Sequence, residues 1–286
     1  MTGLADAVAL FAAFLTRRGY STDVADITRE NIEEWRLELS EGVPGVHKPY
    51  APASVHNRLR GLQRFLSYLV ERERIDKAPR IKLPDLKRTP MRVLRRDQLQ
   101  AILAACKGKR FEDVRDGALI RLLLDSGARR AEITNLRWTP KDPTTNDIDL
   151  DHGTMRVARQ KGGGEITIGL GRKTVAALDD YILDARRKHP YAHLPWLWLS
   201  RRGRLTESGV FQVVRDRGEA AGIDKLHPHD FRHTATHHEL ADGMGETDVM
   251  RKRGWSSSAM LRRYADSTGQ ERAIAAAKRH SLGDTL

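Results

Sequence analysis

NDIDLDHGTMRVARQKGGGEITIGL, residues 146–170, decides the fold class. Its apolar residues fall in short alternating runs: Ile148 and Leu150, Met155 and Val157, then Ile166, Ile168 and Leu170. A period of two marks strands with one buried face. Asp-His-Gly and Lys-Gly-Gly-Gly punctuate the runs with turn chemistry, so the stretch reads as a small antiparallel sheet. Everywhere else the apolar period is that of a helix.

Toward the C-terminus, helices are expected over about 172–187, 206–221, 229–241 and 246–253. Toward the N-terminus, VRDGALIRLLLDSG (114–127) is apolar nearly all round. It reads as a buried helix with Gly127 just past its end. A helix at about 95–105 precedes it. APRIKLPDLKRTP (78–90) is rich in proline and in basic residues, and reads as a linker. Before it come helices at about 4–18, 28–40 with Thr28 as N-cap, and 53–73. The first carries the stripe Leu4, Val8, Phe11 and Leu15. The third carries Val55, Leu59, Leu62, Leu66 and Leu69, with Asn57, Arg60, Arg64 and Ser67 opposite. The fold class predicted is mainly α with a small antiparallel β-sheet (α+β). A helical domain is expected over 1–86 and a mixed domain over 87–286.

The 286 residues carry a formal net charge of +12, which points to a polyanionic partner, nucleic acid foremost. The plainer alternative is a basic protein kept soluble by its charge. Residues 1–47 hold more acids than bases, whereas 48–88 are strongly basic. Asn57, Arg60 and Arg64 on the third helix, with Lys87 and Arg88 in the linker, are therefore candidate DNA contacts; a solvated charged face is the alternative. The single cysteine, Cys106, excludes an intramolecular disulfide framework and a Cys-rich zinc site. AVALFAAFL near the N-terminus has Asp6 before it and no basic residue, so it reads as an amphipathic helix rather than a signal peptide. No run approaches transmembrane length, and a cytoplasmic protein without membrane contact is expected.

Four stretches carry candidate chemistry. SGARRAEITNLRW (126–138) sets Arg129 after a helix-ending glycine with Glu132 three residues on. Lys161 lies beside the hairpin glycines; a phosphate-binding P-loop fails there for want of Gly-Lys-Ser/Thr and of a following helix. HPHDFRHTATHHEL (227–240) places His229, Arg232 and His233 on one helix face. GWSSSAMLRRYADS (254–267) puts Trp255 nine residues before Tyr264. Five of the chain's eleven histidines in 227–240 invite a metal reading. His229 to His237 spans about 12 Å of helix, too far for one ion to hold all three repeats, and there is no HExxH. No metal and no cofactor are expected.

Taken in order, Arg129, Lys161, His229-x-x-Arg232-His233, Trp255 and Tyr264 resemble the tyrosine recombinase (phage integrase) family over essentially the whole chain. The resemblance implies a helical core-type DNA-binding domain followed by a catalytic domain. The helix beginning almost at Met1 fits the two-domain form without an arm-binding domain. It implies that Tyr264 attacks a DNA phosphodiester, giving a 3′-phosphotyrosyl link and a free 5′-hydroxyl. Arg129 and Arg232 would hold the non-bridging oxygens, His229 would accept a proton, and Lys161 would protonate the leaving oxygen. Trp255 stands where the family usually has histidine and can donate but not shuttle a proton. Glu132 and His233 would support. RKRGW in place of the common Leu-Gly-His, and Met260 and Leu261 where threonines are frequent, are departures. The partners implied are double-stranded DNA at core-type attachment sites, a homo-tetramer on synapsed DNA and a directionality factor, in the setting of a phage or mobile element. The alternatives are a type IB topoisomerase-like enzyme, a DNA-binding relative without catalysis, and a metal-dependent hydrolase.

Overall fold

The computed structural model describes residues 3–86, 91–158, 164–259, 261, 264, 273–274, 277–281 and 283–284. Two compact units are present, 1–89 and 90–286. The mainly helical, α+β character expected from the sequence is found.

In the first unit, α1 (Gly3–Arg18), α2 (Arg29–Glu41) and α3 (Pro52–Glu71) pack around one core. The α3 stripe is the expected one: Val55, Leu59, Leu62, Leu66 and Leu69 are all buried. Each fully buried leucine contributes roughly 2 kcal/mol. α2 opens with a reciprocal cap, in which Asn31 N–H donates to Thr28 Oγ1 (3.2 Å) and Thr28 N–H to Asn31 Oδ1 (3.1 Å). α1 corrects the sequence reading. Its buried face is Ala7, Phe11, Phe14 and Leu15, and Leu4 is exposed. The reason is a close helix crossing: a Cβ on Gly61 of α3 would lie 2.8 Å from Ala7 Cβ. Two small residues meet there, and the helix turns to present Ala7.

The second unit begins with α4 (Arg96–Ala104) and α5 (Phe111–Ser126), followed by the short α6 (Arg130–Thr134). The sheet follows, with β1 (Ile148–Asp149), β2 (Thr154–Ala158) and β3 (Glu165–Gly169) antiparallel in that order. Met155 pairs with Ile168 and Val157 with Ile166; Met155, Val157 and Ile168 enter the core. α7 (Arg172–Asp179) continues as a wider π-helical segment (Asp180–Arg186). A hairpin too short to show alternation, β4 (Leu199–Ser200) and β5 (Gly203–Arg204), precedes α8 (Glu207–Ala220). α9 (Pro228–Ala241) and α10 (Glu246–Arg253) complete the unit's long helices. Cys106 is buried, and burial pushes its thiol up to about 11, as suits an inert core residue. None of the helices among the described residues is long and apolar enough to cross a membrane.

Arg186 shows how this unit holds a long irregular connection. Its fully buried guanidinium donates to the carbonyls of Trp138, Ala192, Leu194, Trp196 and Leu197. A buried cation is tolerated because five backbone acceptors surround it. Those carbonyls in turn escape the cost of burial without a partner.

Candidate active site

The site is assembled at the C-terminal end of α5. Ser126 ends that helix, and Gly127 turns the chain in the left-handed region (φ 53°). The turn sends the chain directly into Arg129 and α6. Glu132 accepts from both the backbone N–H and the guanidinium of Arg129, each at 2.8 Å. The acid is buried while the arginine side chain stays 50% exposed, so its charge faces outward on a fixed base.

α9 supplies the next group. Pro228 stands at its first position, and His227 N–H donates to Asp230 Oδ2 (2.9 Å). One turn later Arg232 is only 2% exposed. Its Nη1 donates to the Gly127 carbonyl (2.7 Å) and its Nη2 to the Arg253 carbonyl (3.1 Å). The carbonyls at the end of α5 lack helical partners, carry partial negative charge and suit a cation. Burial, then the charges of Arg253 and Arg129, brings Arg232 down to about 10, still protonated at neutral pH.

α10 ends in a left-handed turn at Gly254 (φ 61°), which returns the Trp255 N–H to the Met250 carbonyl (2.9 Å). Trp255 is thereby laid against Tyr264, with ring centroids 5.3 Å apart and planes 25° apart. Arg232 Cζ lies 5.4 Å from the Trp255 ring centroid. The indole Nε1–H is buried and finds no acceptor among the described residues. Tyr264 itself is buried, and its hydroxyl is 2.5 Å from His233 Nδ1. Burial, then the proximity of His229 and Arg232, pulls His233 down to about 4. The ring is neutral at neutral pH and able to accept the phenolic proton. His229 is exposed and meets His233 edge-on at 4.3 Å; partial desolvation and the Arg232 charge lower it as well.

Arg129, Glu132, His229, Arg232, His233, Trp255 and Tyr264 are thus drawn together from α5–α6, α9 and the segment after α10. The resemblance implies His229 as the proton acceptor; the imidazole within hydrogen-bond distance of the Tyr264 hydroxyl is His233. The difference follows from where Tyr264 is brought back against α9, a tertiary fact that helix periodicity does not hold. Lys161, Lys87 and Arg88 lie outside the described residues. Asn57, Arg60 and Arg64 are exposed on α3, in the other unit.

The sequence reading missed Arg253. It is fully buried and bonds to three neighbours, including Glu239 of α9. Its setting in the last turn of a helix gave a misleading signal, because basic residues there are ordinarily solvated partners of the helix dipole.

The phage integrase family profile matches residues 92–271. The chain is 31% identical over 270 residues to tyrosine recombinase XerC of Mycobacterium bovis, covering 91% of this chain and 85% of that one. It is 28% identical over 281 residues to tyrosine recombinase XerD of Caulobacter vibrioides, covering 94% and 86%. Among solved structures, XerH site-specific recombinase bound to palindromic difH substrate aligns with a TM-score of 0.71 at 18% identity, covering 96% and 78%. A lambda integrase dimer bound to a core site aligns with a TM-score of 0.63 at 17% identity, covering 91% and 87%. A family profile spanning more than half of the chain, with a relative above 30% identity along most of its length, establishes that this chain belongs to the phage integrase family and is a tyrosine recombinase.

Proposed function

We propose that the chain cuts and rejoins double-stranded DNA at core-type sites through a 3′-phosphotyrosyl intermediate on Tyr264. The observation that carries this reading is the 2.5 Å contact between the Tyr264 hydroxyl and a neutral His233, beside a buried Arg232. An ordinary phenol has a pKa of about 10, so attack needs a base and a cationic surround. His233 supplies the first and the arginines the second. Tyr264 Oη bonds to phosphorus as the bond from phosphorus to the 5′-oxygen breaks. The phenolic proton passes to His233, backed by His229, and Lys161 protonates the departing 5′-oxygen. Arg129 and Arg232 hold the non-bridging oxygens, where guanidinium geometry and permanent charge suit a phosphorane-like transition state. The Trp255 N–H adds a neutral donor.

The covalent link keeps the bond energy, so a 5′-hydroxyl from a second duplex can replace the first. Exchange of four strands calls for four sites, hence a homo-tetramer on synapsed DNA, working in the cytoplasm and able to respond to a directionality factor. We assign residues 1–86 to core-site DNA binding and 87–286 to catalysis. The setting proposed is integration and excision of a phage or mobile element. The Xer names of the curated relatives favour a second setting for the same chemistry, the resolution of chromosome dimers.

The test uses a duplex that the protein selects from a randomised pool, rebuilt with a nick that traps the cleaved state. A covalent adduct should form in EDTA and be lost in Tyr264→Phe, by at least about 1000-fold. An adduct that needs a divalent metal, or that survives the substitution, would overturn the mechanism. Relaxed circles without joined duplexes would move the assignment to a topoisomerase. Locating the selected site, on an element's ends or at one chromosomal locus, separates the two settings.

A further inference from the structure

Two buried arginines meet at the end of α5, and their surroundings differ. Arg232 donates to the Gly127 and Arg253 carbonyls, and no carboxylate bonds it among the described residues. Arg253, with no exposed surface, donates from Nη1 to the Ser126 carbonyl (2.6 Å), from Nε to Thr236 Oγ1 (2.9 Å) and from Nη2 to Glu239 Oε2 (2.5 Å). Arg253 meets a carboxylate, that of Glu239, whose other oxygen takes Lys252. Arg232 bonds only to backbone oxygens among the described residues, with Glu132 acting on it through space.

The two are mechanically joined. Arg253's own carbonyl is one of the two acceptors that fix the Arg232 guanidinium. Its side chain grips Ser126, the residue before the other acceptor, Gly127. A Cβ on Gly127 would lie 2.4 Å from Arg253 Cζ, so the guanidinium occupies space that only glycine leaves open. Through Thr236 and Glu239 the same group ties α10 to the helix that bears Arg232. Arg253 thus clamps three chain segments: the end of α5, the middle of α9, and the turn leading to Trp255.

We propose that Arg253 is a positioning residue for phosphate recognition: paired with Glu239, it fixes the two carbonyls that aim Arg232 at the scissile phosphate. It touches no DNA itself. The proposal rests on the reading of Arg232 as a phosphate ligand, and it deepens that reading by naming what preorganises the arginine. A burial site for a stabilising ion pair alone would behave differently, because replacing both members of such a pair by apolar residues of similar volume is often neutral.

The experiment measures single-turnover adduct formation on the selected, nicked duplex, with binding and thermal melting of the same proteins alongside. Arg253→Met combined with Glu239→Met removes both charges at similar volume. The pair should keep a cooperative melt, bind the duplex within about 3-fold of the parent, and form adduct about 30-fold more slowly. In an Arg232→Lys background the same two changes should slow the reaction by less than about 3-fold further, since the arginine they position is already gone. Arg253→Lys should recover part of the rate by keeping the charge. A folded double variant that cleaves within about 3-fold of the parent overturns the proposal. So does a loss of equal size in both backgrounds. If the double variant does not fold, the Arg253→Lys and Arg232→Lys cycle gives the same decision, with independent losses overturning the proposal and coupled losses supporting it. Absence of adduct with the unsubstituted protein is a distinguishable failure: it sinks the phosphotyrosyl reading, and this inference with it.

Discussion

At the scale of the residue, the residue types that gather at the site were legible and their geometry was not. Arginine, lysine, histidine, tryptophan and tyrosine in one order carry the resemblance to the tyrosine recombinase family. Which histidine meets Tyr264 depends on where the chain places that tyrosine, 31 residues beyond His233. His229 and His233 are one turn apart on α9, so periodicity treats them alike. His233 also makes a prediction about pH. Its pKa in the folded state, about 4, lies below the ordinary 6.5. Between those values the unfolded chain binds more protons than the folded one, so stability rises with pH across that window and is lost as pH falls from about 6.5 to about 4. His229 and His189 are displaced in the same direction and share the effect. His233→Phe removes one titrating group and one hydrogen bond. It should cost about 1 kcal/mol at pH 7 and flatten the acid limb of the melting curve against pH. Parallel acid limbs in the two proteins would show that His233 is not the group responsible.

At the scale of the element, the long helices and the three-stranded sheet were readable because each buries one face with its own period. The exceptions have physical causes. α1 turned because Ala7 and Gly61 allow two helices to approach, which a stripe of large residues does not reveal. β4 and β5 are two residues each, too short to alternate. α6 is a five-residue helix, barely more than one turn. The loop between the π-helical segment and β4 is held by Arg186 rather than by any pattern of its own, and a buried arginine has no sequence signature. That loop yields a prediction. Arg186→Met keeps most of the volume but takes a donor from five carbonyls, of which that of Leu197 keeps the Tyr181 hydroxyl, and should lower stability by about 3 kcal/mol. Urea unfolding of the purified variant measures it. A change below about 1 kcal/mol would mean that water replaces the guanidinium without penalty.

At the scale of the whole molecule, the net charge of +12 was the earliest pointer to a polyanion, and it is also the least specific. Only some of those charges can be spent on DNA, and the structure separates them. On α3, Asn57, Arg60 and Arg64 are exposed, and the apolar stripe on the opposite face anchors the helix. Arg58 on the same helix is engaged: its guanidinium lies 3.9 Å from the Tyr50 ring centroid and donates to the Ser54 carbonyl. Each cation that neutralises a phosphate releases counterion, so the logarithm of affinity falls with the logarithm of salt by roughly 0.9 per contact. Arg60→Gln and Arg64→Gln should therefore each weaken binding to the selected duplex and reduce the salt slope by about 1. Arg58→Gln, whose charge is spent within the protein, should leave the slope unchanged. If Arg60 or Arg64 reads a base edge instead, its loss relaxes preference at one position of the site by about 1–3 kcal/mol. A titration series from low to moderate salt, run on the selected duplex and on a scrambled one, separates these outcomes. Unchanged slopes for both exposed arginines would remove α3 from the DNA-facing surface and leave the charge of this unit as a solvated face.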